Sequence, residues 1–322
     1  MQPNFADFAV GAVARDCTLL RMSDRPQLVP MLVAILACVL GGAAIVATRI
    51  AVAEAHPLAV AVLRYAGAGV VMGLIMVMIG GGRRVPWAQL WPVLALGGLQ
   101  FGLFGWLFIA AISYVTAARA ALVLATMPVL TLALSALFGR ERMSASKVLG
   151  SLIACGGVVV ALGDRELSAG ADVWKGDLLM FAAAFVSSIY NVLAGLYTRH
   201  LPAVTMSAIQ LPVGAVALFV ALLVTGDVAQ LVAFDARGWA AVAFIATIGG
   251  AASFYTWIWA LERIAPSRVA VTVTLNPITA ALLGALILGE PMTTRLLLGL
   301  IGVVAGIAIA NWPVRATEAK PV

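Results

Sequence analysis

From residue 29 to residue 312 the chain is a succession of apolar runs about twenty residues long, broken only by short polar punctuation. A helix needs roughly 20 mainly apolar residues to cross about 30 Å of hydrocarbon. Of 322 residues, 63 % are hydrophobic and 11 % charged, whereas ordinary soluble domains carry about 25 % charged residues. A soluble fold cannot bury that much apolar surface. The expected fold class is therefore all-α and integral to a membrane, with the lipid bilayer as solvent.

Window hydropathy, with Gly, Pro and charge as punctuation, predicts ten transmembrane helices. They fall at about 29–51, 57–80, 90–112, 117–138, 146–163, 174–197, 203–225, 239–261, 266–288 and 293–312. The segment 164–173 is polar and contains Gly170, so it reads as a linker between 29–163 and 174–312. Residues 1–28 and 313–322 are read as tails, and the first of them lacks the pattern of a signal peptide. Thirteen Lys and Arg residues fall on one predicted side, including Arg21, Arg83, Arg140, Lys147, Arg199 and Arg315. Six fall on the other: Arg49, Arg119, Arg165, Lys175, Arg237 and Arg295. By the positive-inside rule both termini lie in the cytoplasm, in a multi-pass protein of a bacterial-type cell inner membrane.

The net charge of +6 is spread over helix ends, so it speaks for topology and not for nucleic acid. Cys17, Cys38 and Cys155 lack a metal or redox spacing, and His56 and His200 stand apart at chain reversals. No catalytic constellation, metal site or cofactor is expected.

Shifted by 149 residues, Ala111 to Gly163 aligns without a gap on Ala260 to Trp312. Arg119 meets Arg268, Pro128 meets Pro277, Glu141 meets Glu290, and Met143 meets Met292. Five predicted helices per half is an odd number, so the second half enters the membrane from the opposite side. Two inverted five-helix repeats around a central cavity can exchange inward-open and outward-open states about one midplane site.

These residues resemble the drug/metabolite transporter superfamily, in its ten-helix branch of paired EamA domains. The likeness is strongest through Tyr255, Ala260, Leu261, Pro266, Ser267, Arg268, Asn276, Pro277, Gly289, Glu290, Pro291 and Gly299. It continues in the first half at Arg64, Tyr114, Arg119, Pro128 and Glu141, while Gly41 and Gly42 lack the tryptophan often found in that first helix. The resemblance implies export or exchange of small metabolites, commonly amino acids, the aromatic ones among them.

No acid lies near a predicted helix centre, which argues against a proton relay built on a mid-membrane carboxylate. Arg64 lies seven residues beyond Pro57, roughly 10 Å into its helix. It could bind a substrate carboxylate, snorkel to the interface or tie helix carbonyls. Pro128 and Pro277 each free a carbonyl, at Leu124 and Val273; they either open backbone polarity toward a cavity as hinges or merely bend the helix. The aromatic stripe of Phe101, Phe104, Phe108, Tyr255 and Trp259 is either packing or a binding wall. Polar neighbours favour a wall, and the expected pocket comprises Gln100, Phe101, Trp106, Tyr190, Asn191, Tyr255 and Asn276, with Arg64. Glycines of the fifth and tenth helices suit close packing within one chain, so a monomer is expected over a dimer. Three other readings compete: an exporter of other amphipathic metabolites or drugs, a non-transporting sensor or scaffold, and an intramembrane enzyme. Short tails weaken the sensor, and isolated serines and cysteines weaken the enzyme.

Overall fold

The computed structural model describes residues 28–78, 87–138, 145–163, 172–197, 201–264, 269, 272 and 275–310. Both tails, most of the linker, Glu141, Arg268 and the carbonyl of Val273 lie outside these residues, as do most of the arginines counted for orientation.

Among the described residues the chain is helical throughout, without strands. α1 (Leu28–Val52) and α2 (Pro57–Met78) are continuous. α3 is compound: Trp87–Gly97, a π-helical turn over Gly98–Leu103, and Phe104–Ile112. α4 comprises Ala117–Leu124 and Met127–Leu137. α5 (Ala145–Leu162), α6 (Val173–Tyr197) and α7 (Ala203–Thr225) are again continuous. After a 3-10 turn at Asp227–Val232, α8 runs through Ala236–Ala246, a π-helical turn at Thr247–Ala252, and Ser253–Leu261. α9 is Leu275–Leu283 followed by π-helical Gly284–Leu288, and α10 is Thr294–Ala310.

Seven of the described helices are long and apolar enough to cross a membrane. Ala145–Ala161, Leu275–Leu288 and Thr294–Gly306 are apolar but shorter. Large apolar side chains such as Leu36, Val70, Leu152, Phe181, Val220 and Leu298 face outward, where only lipid can cover them. This is a multi-pass membrane protein.

Local chemistry sets the helix ends. Thr116 caps α4 by accepting from the Arg119 amide at 3.3 Å. Asp235 caps α8 by accepting from the Gly238 amide at 2.8 Å, and that hydrogen bond holds its carboxyl below the usual carboxylate range. α7 and α9 end on Gly226 and Gly289, whose φ values of 78° and 67° suit a residue without a side chain.

Pro128 does not kink a continuous helix, as the sequence suggested, but stands at the start of the second segment of α4. The chain turns at Ala125 and Thr126, where the Thr126 hydroxyl donates to the Val123 carbonyl at 2.7 Å. Pro277 likewise lies in the first turn of the described part of α9. Pro212, inside α7, is a third helix proline.

The three parts of α3 recur in α8 with the same lengths, each boundary 149 residues further on. The π-helical turns therefore occupy equivalent places, and such turns tend to mark functional sites within helices. α5 and α10 meet backbone to backbone: a Cβ on Gly157 would lie 2.7 Å from the Gly299 carbonyl oxygen. These glycines are spent on contact inside the chain. Arg119 of α4 and Asp177 of α6 form a two-pronged ion pair, at 2.8 and 2.7 Å, with the arginine buried. It joins the two halves at the start of both helices, and the sequence reading did not anticipate it.

Candidate functional site

α2 begins at Pro57, a favoured first helical residue, and carries Arg64 two turns deeper. Arg64 does not snorkel: it is 5 % exposed. Its Nη1 donates to the Thr48 hydroxyl of α1 at 3.1 Å, and that hydroxyl donates onward to the Ala44 carbonyl at 2.7 Å. The rings of Tyr65, Phe108 and Phe254 lie 5.6, 5.5 and 5.6 Å from the guanidinium carbon. Nε has no partner, and no carboxylate pairs with Arg64 among the described residues.

Removing an ion from water costs several kcal/mol even after relaxation, and a guanidinium stays protonated in proteins. At a desolvated site a ring within about 6 Å returns up to about 2 kcal/mol, and a hydrogen bond from a charged donor about 1.5–3 kcal/mol. What its surroundings leave unanswered is Nε, a buried donor without a partner.

The aromatic wall continues from this point. Phe101 is 1 % exposed and packs edge-on against Tyr65 at 5.6 Å, Phe254 at 4.9 Å and Tyr190 at 6.5 Å. Small residues make room: a Cβ on Gly214 would collide with Phe101, and one on Gly105 would lie 2.5 Å from the Tyr65 ring. The π-helical turn of α3 keeps Gln100, Phe101 and Gly102 all buried. Tyr190 donates to Gln210 Oε1 at 2.9 Å, and Gln100 Nε2 donates to the Ser187 hydroxyl at 3.3 Å. The other ends of both amides, with Tyr65 Oη and Ser207 Oγ, are buried without partners. Buried polar atoms are nearly always hydrogen-bonded, so such a concentration asks for an explanation. The belt draws on α2 and α3 from one half and on α6, α7 and α8 from the other.

Of the residues expected from sequence, Arg64, Gln100, Phe101 and Tyr190 come together in this belt. Asn191 is buried beside Tyr190 in the chain, at 3 % exposure. Tyr255 is half-buried between the core cluster that holds Tyr65 and Phe101 and the packing around Val93, Met206 and Ile258, and it joins none of the ring pairs. Trp106 points the other way: it is 41 % exposed, because it stands two residues from both Phe104 and Phe108, on the opposite side of the helix. Asn276 lies elsewhere, at the seam of α9 and α1, where a Cβ on Gly41 would be 3.1 Å from its unpartnered Oδ1. The Ser188 hydroxyl lies 2.7 Å from the Ala184 carbonyl and 3.1 Å from the carbonyl of Met127 at the α4 break. Tyr65, Phe254 and Thr48 were missed. Tyr65 adjoins Arg64 and Phe254 adjoins Tyr255 in sequence, but helical spacing alone did not show which of them faced inward.

A cavity of about 520 Å³ opens at the end where α1, α3 and α9 finish and α8 begins. Arg49, Ile50, Val52, Ala53, Glu54, Ser113, Arg237, Leu288 and Glu290 line it, and none of the expected pocket residues does. Most of its charges also bind helix ends. Arg49 donates to the carbonyls of Ile112 and Ser113 at 2.6 and 3.2 Å, at the negative end of α3. Glu290 accepts from the amides of Ala117 and Ala118 at 3.0 and 3.4 Å, at the positive end of α4. Glu54 accepts from the Asp235 amide at 3.0 Å. The belt is close below: Thr48 directly precedes Arg49, and Phe108 stands one helical turn before Ile112.

The model of the EamA-like transporter family matches this chain twice, over residues 28–163 and 174–312. The chain belongs to the EamA-like transporter family. An uncharacterized transporter of Archaeoglobus fulgidus is 29 % identical over 83 % of this chain and 93 % of its own length. The uncharacterized inner membrane transporter YedA of Escherichia coli K12 is 26 % identical over 92 % of this chain and 95 % of its own. A solved crystal structure, 22 % identical, superposes with a TM-score of 0.70 over 89 % of this chain and 98 % of the other, which fixes the likeness of fold. Membership makes this EamA protein a membrane transporter, and the belt and the cavity are where a solute could be held.

Proposed function

We propose that the protein is an alternating-access secondary transporter that exports or exchanges small metabolites, amino acids first and the aromatic ones among them. It is a carrier and not an enzyme, it works as a monomer, and it resides in a cell inner membrane with both termini in the cytoplasm. The reading takes ten spans in two halves of opposite orientation, 29–163 and 174–312. The repetition of the compound helix α3 in α8 at the same 149-residue spacing supports it. So do the doubled family match and the inner-membrane description of the Escherichia coli relative.

The observation that carries the site is the belt of unpartnered buried polar atoms among aromatic rings, contributed by helices of both halves. Aromatic faces suit an apolar side chain, and the free ends of Gln100 and Gln210 suit polar groups of a zwitterion. The break at Pro128 and the helix proline Pro277 are the hinge points in this reading. Alanine at Gln100, Tyr190 or Asn191, each in purified protein reconstituted in liposomes, is expected to cut uptake of aromatic amino acids about tenfold or more while the melting transition stays cooperative. Wild-type uptake in all three variants would remove the pocket. Flux that follows a pH gradient would point to a coupling carboxylate outside the belt.

A further inference from the structure

We propose that Arg64 is the receptor for a carboxylate of the cargo, so that the belt selects solutes joining one anionic group to a flat apolar body. The inference rests on the carrier reading above and deepens it by naming the group the site selects. A guanidinium offers five N–H donors. Here a single side-chain acceptor is found among the described residues, the hydroxyl of Thr48, whose own proton is donated to Ala44. Nε is buried and unpartnered. Structural buried arginines solve this problem with a carboxylate, as Arg119 does with Asp177 in the same molecule. Arg64 has rings in place of an acid.

The missing partner is therefore planar and singly negative. Two carboxylate oxygens can take two parallel N–H groups of a guanidinium, which an amine or a neutral amide cannot do. A phosphate dianion would bring a second charge for which the belt holds no cation: the groups beyond Arg64 are neutral, Tyr65, Gln100, Gln210 and Ser207. The approach is prepared as well. Arg49 and Arg237 stand in the lining of the cavity, and Arg49 is the next residue after Thr48. In this assignment the rings around the guanidinium face the apolar part of the cargo.

Three probes separate the groups of one molecule: L-phenylalanine carries both charges, 3-phenylpropionate only the carboxylate, and phenethylamine only the ammonium. Binding to the purified full-length protein is read as ligand-induced thermal stabilisation and as quenching of tryptophan emission, with flux measured in parallel in liposomes. Wild-type protein is expected to bind phenylalanine and phenylpropionate and to bind phenethylamine about tenfold or more weakly. Arg64→Gln is expected to lose that preference, and Arg64→Lys to keep part of it, since lysine supplies the charge without the fork. The comparison of probes on wild-type protein needs no variant, so misfolding of Arg64→Gln leaves the test intact. Equal binding of phenethylamine and phenylpropionate, no binding of either carboxylate, or unchanged preference in a folded Arg64→Gln would each overturn the assignment. Carboxylate binding without flux would sink the carrier reading and leave Arg64 as a receptor. Flux of the amine alone would do the reverse.

Discussion

At the residue level, three described arginines, two of them buried and one partly so, are each met in a different way. Arg119 has Asp177, Arg49 has the carbonyl end of a helix, and Arg64 has three rings and a hydroxyl. Glu290 and Asp235 serve helix starts, where amides without intrahelical partners welcome an acceptor. Asp235 also makes the fold sensitive to acid. Its carboxyl is held low in the folded protein, chiefly by the Gly238 amide, so its contribution is complete above the ordinary value of 3.8 and is lost as pH falls through the lower folded value. Asp235→Ala is expected to lower the melting temperature at neutral pH, with the gap to wild type narrowing in acid below about pH 4. A gap that widens in acid would show that the cap works by something other than its charge.

At the scale of the element, most of the helical layout was legible from the chain, because apolar runs and their punctuation are local properties. The predicted segments 57–80 and 203–225 correspond to helices observed at Pro57–Met78 and Ala203–Thr225. The internal construction of the helices was not legible. Hydropathy averages over a window and cannot register a π-helical turn at Gly98–Leu103 or a break before Pro128. The turn in α3 has the larger consequence, since it shifts the phase of the helix that carries Gln100 and Phe101. The same limit explains Trp106, whose repeat partner Tyr255 is half-buried while Trp106 itself faces outward. The glycines of α5 and α10 support a definite expectation. Gly157→Val would press a branched side chain into the backbone of α10, so a loss of about 3 kcal/mol or more is expected in reversible unfolding. The same change at Gly156, where a Cβ would meet nothing within 4 Å, is expected to cost far less. Equal losses at the two positions would show that the helix pair does not depend on close approach.

At the scale of the whole molecule, the two halves touch through two kinds of contact. At one end they are joined by polar ties: Glu290 on the start of α4, Glu54 on the start of α8, and Arg119 on Asp177. Deeper in the molecule they share the aromatic belt, whose polar atoms are left without partners. Polar ties can be exchanged for water at little net cost, so an end held by them can open, whereas unpartnered polar atoms are relieved by a ligand. The site was half legible in the sequence. Arg64, Gln100, Phe101 and Tyr190 announced themselves as charge, amide and ring inside hydrocarbon. Tyr65, Thr48 and Phe254 could be assigned only when helices distant in the chain were brought together. In the proposed carrier the solute is held by a site open to one side at a time, and counterflow is the measurement that distinguishes such a site from a pore. Liposomes holding the purified protein and a high internal concentration of unlabelled L-phenylalanine are diluted into a trace of the labelled compound. A carrier is expected to draw the label in to a transient peak above its equilibrium level. A monotonic approach to equilibrium, or no entry at all, for phenylalanine and for every other amino acid tried would contradict alternating access for this class of cargo.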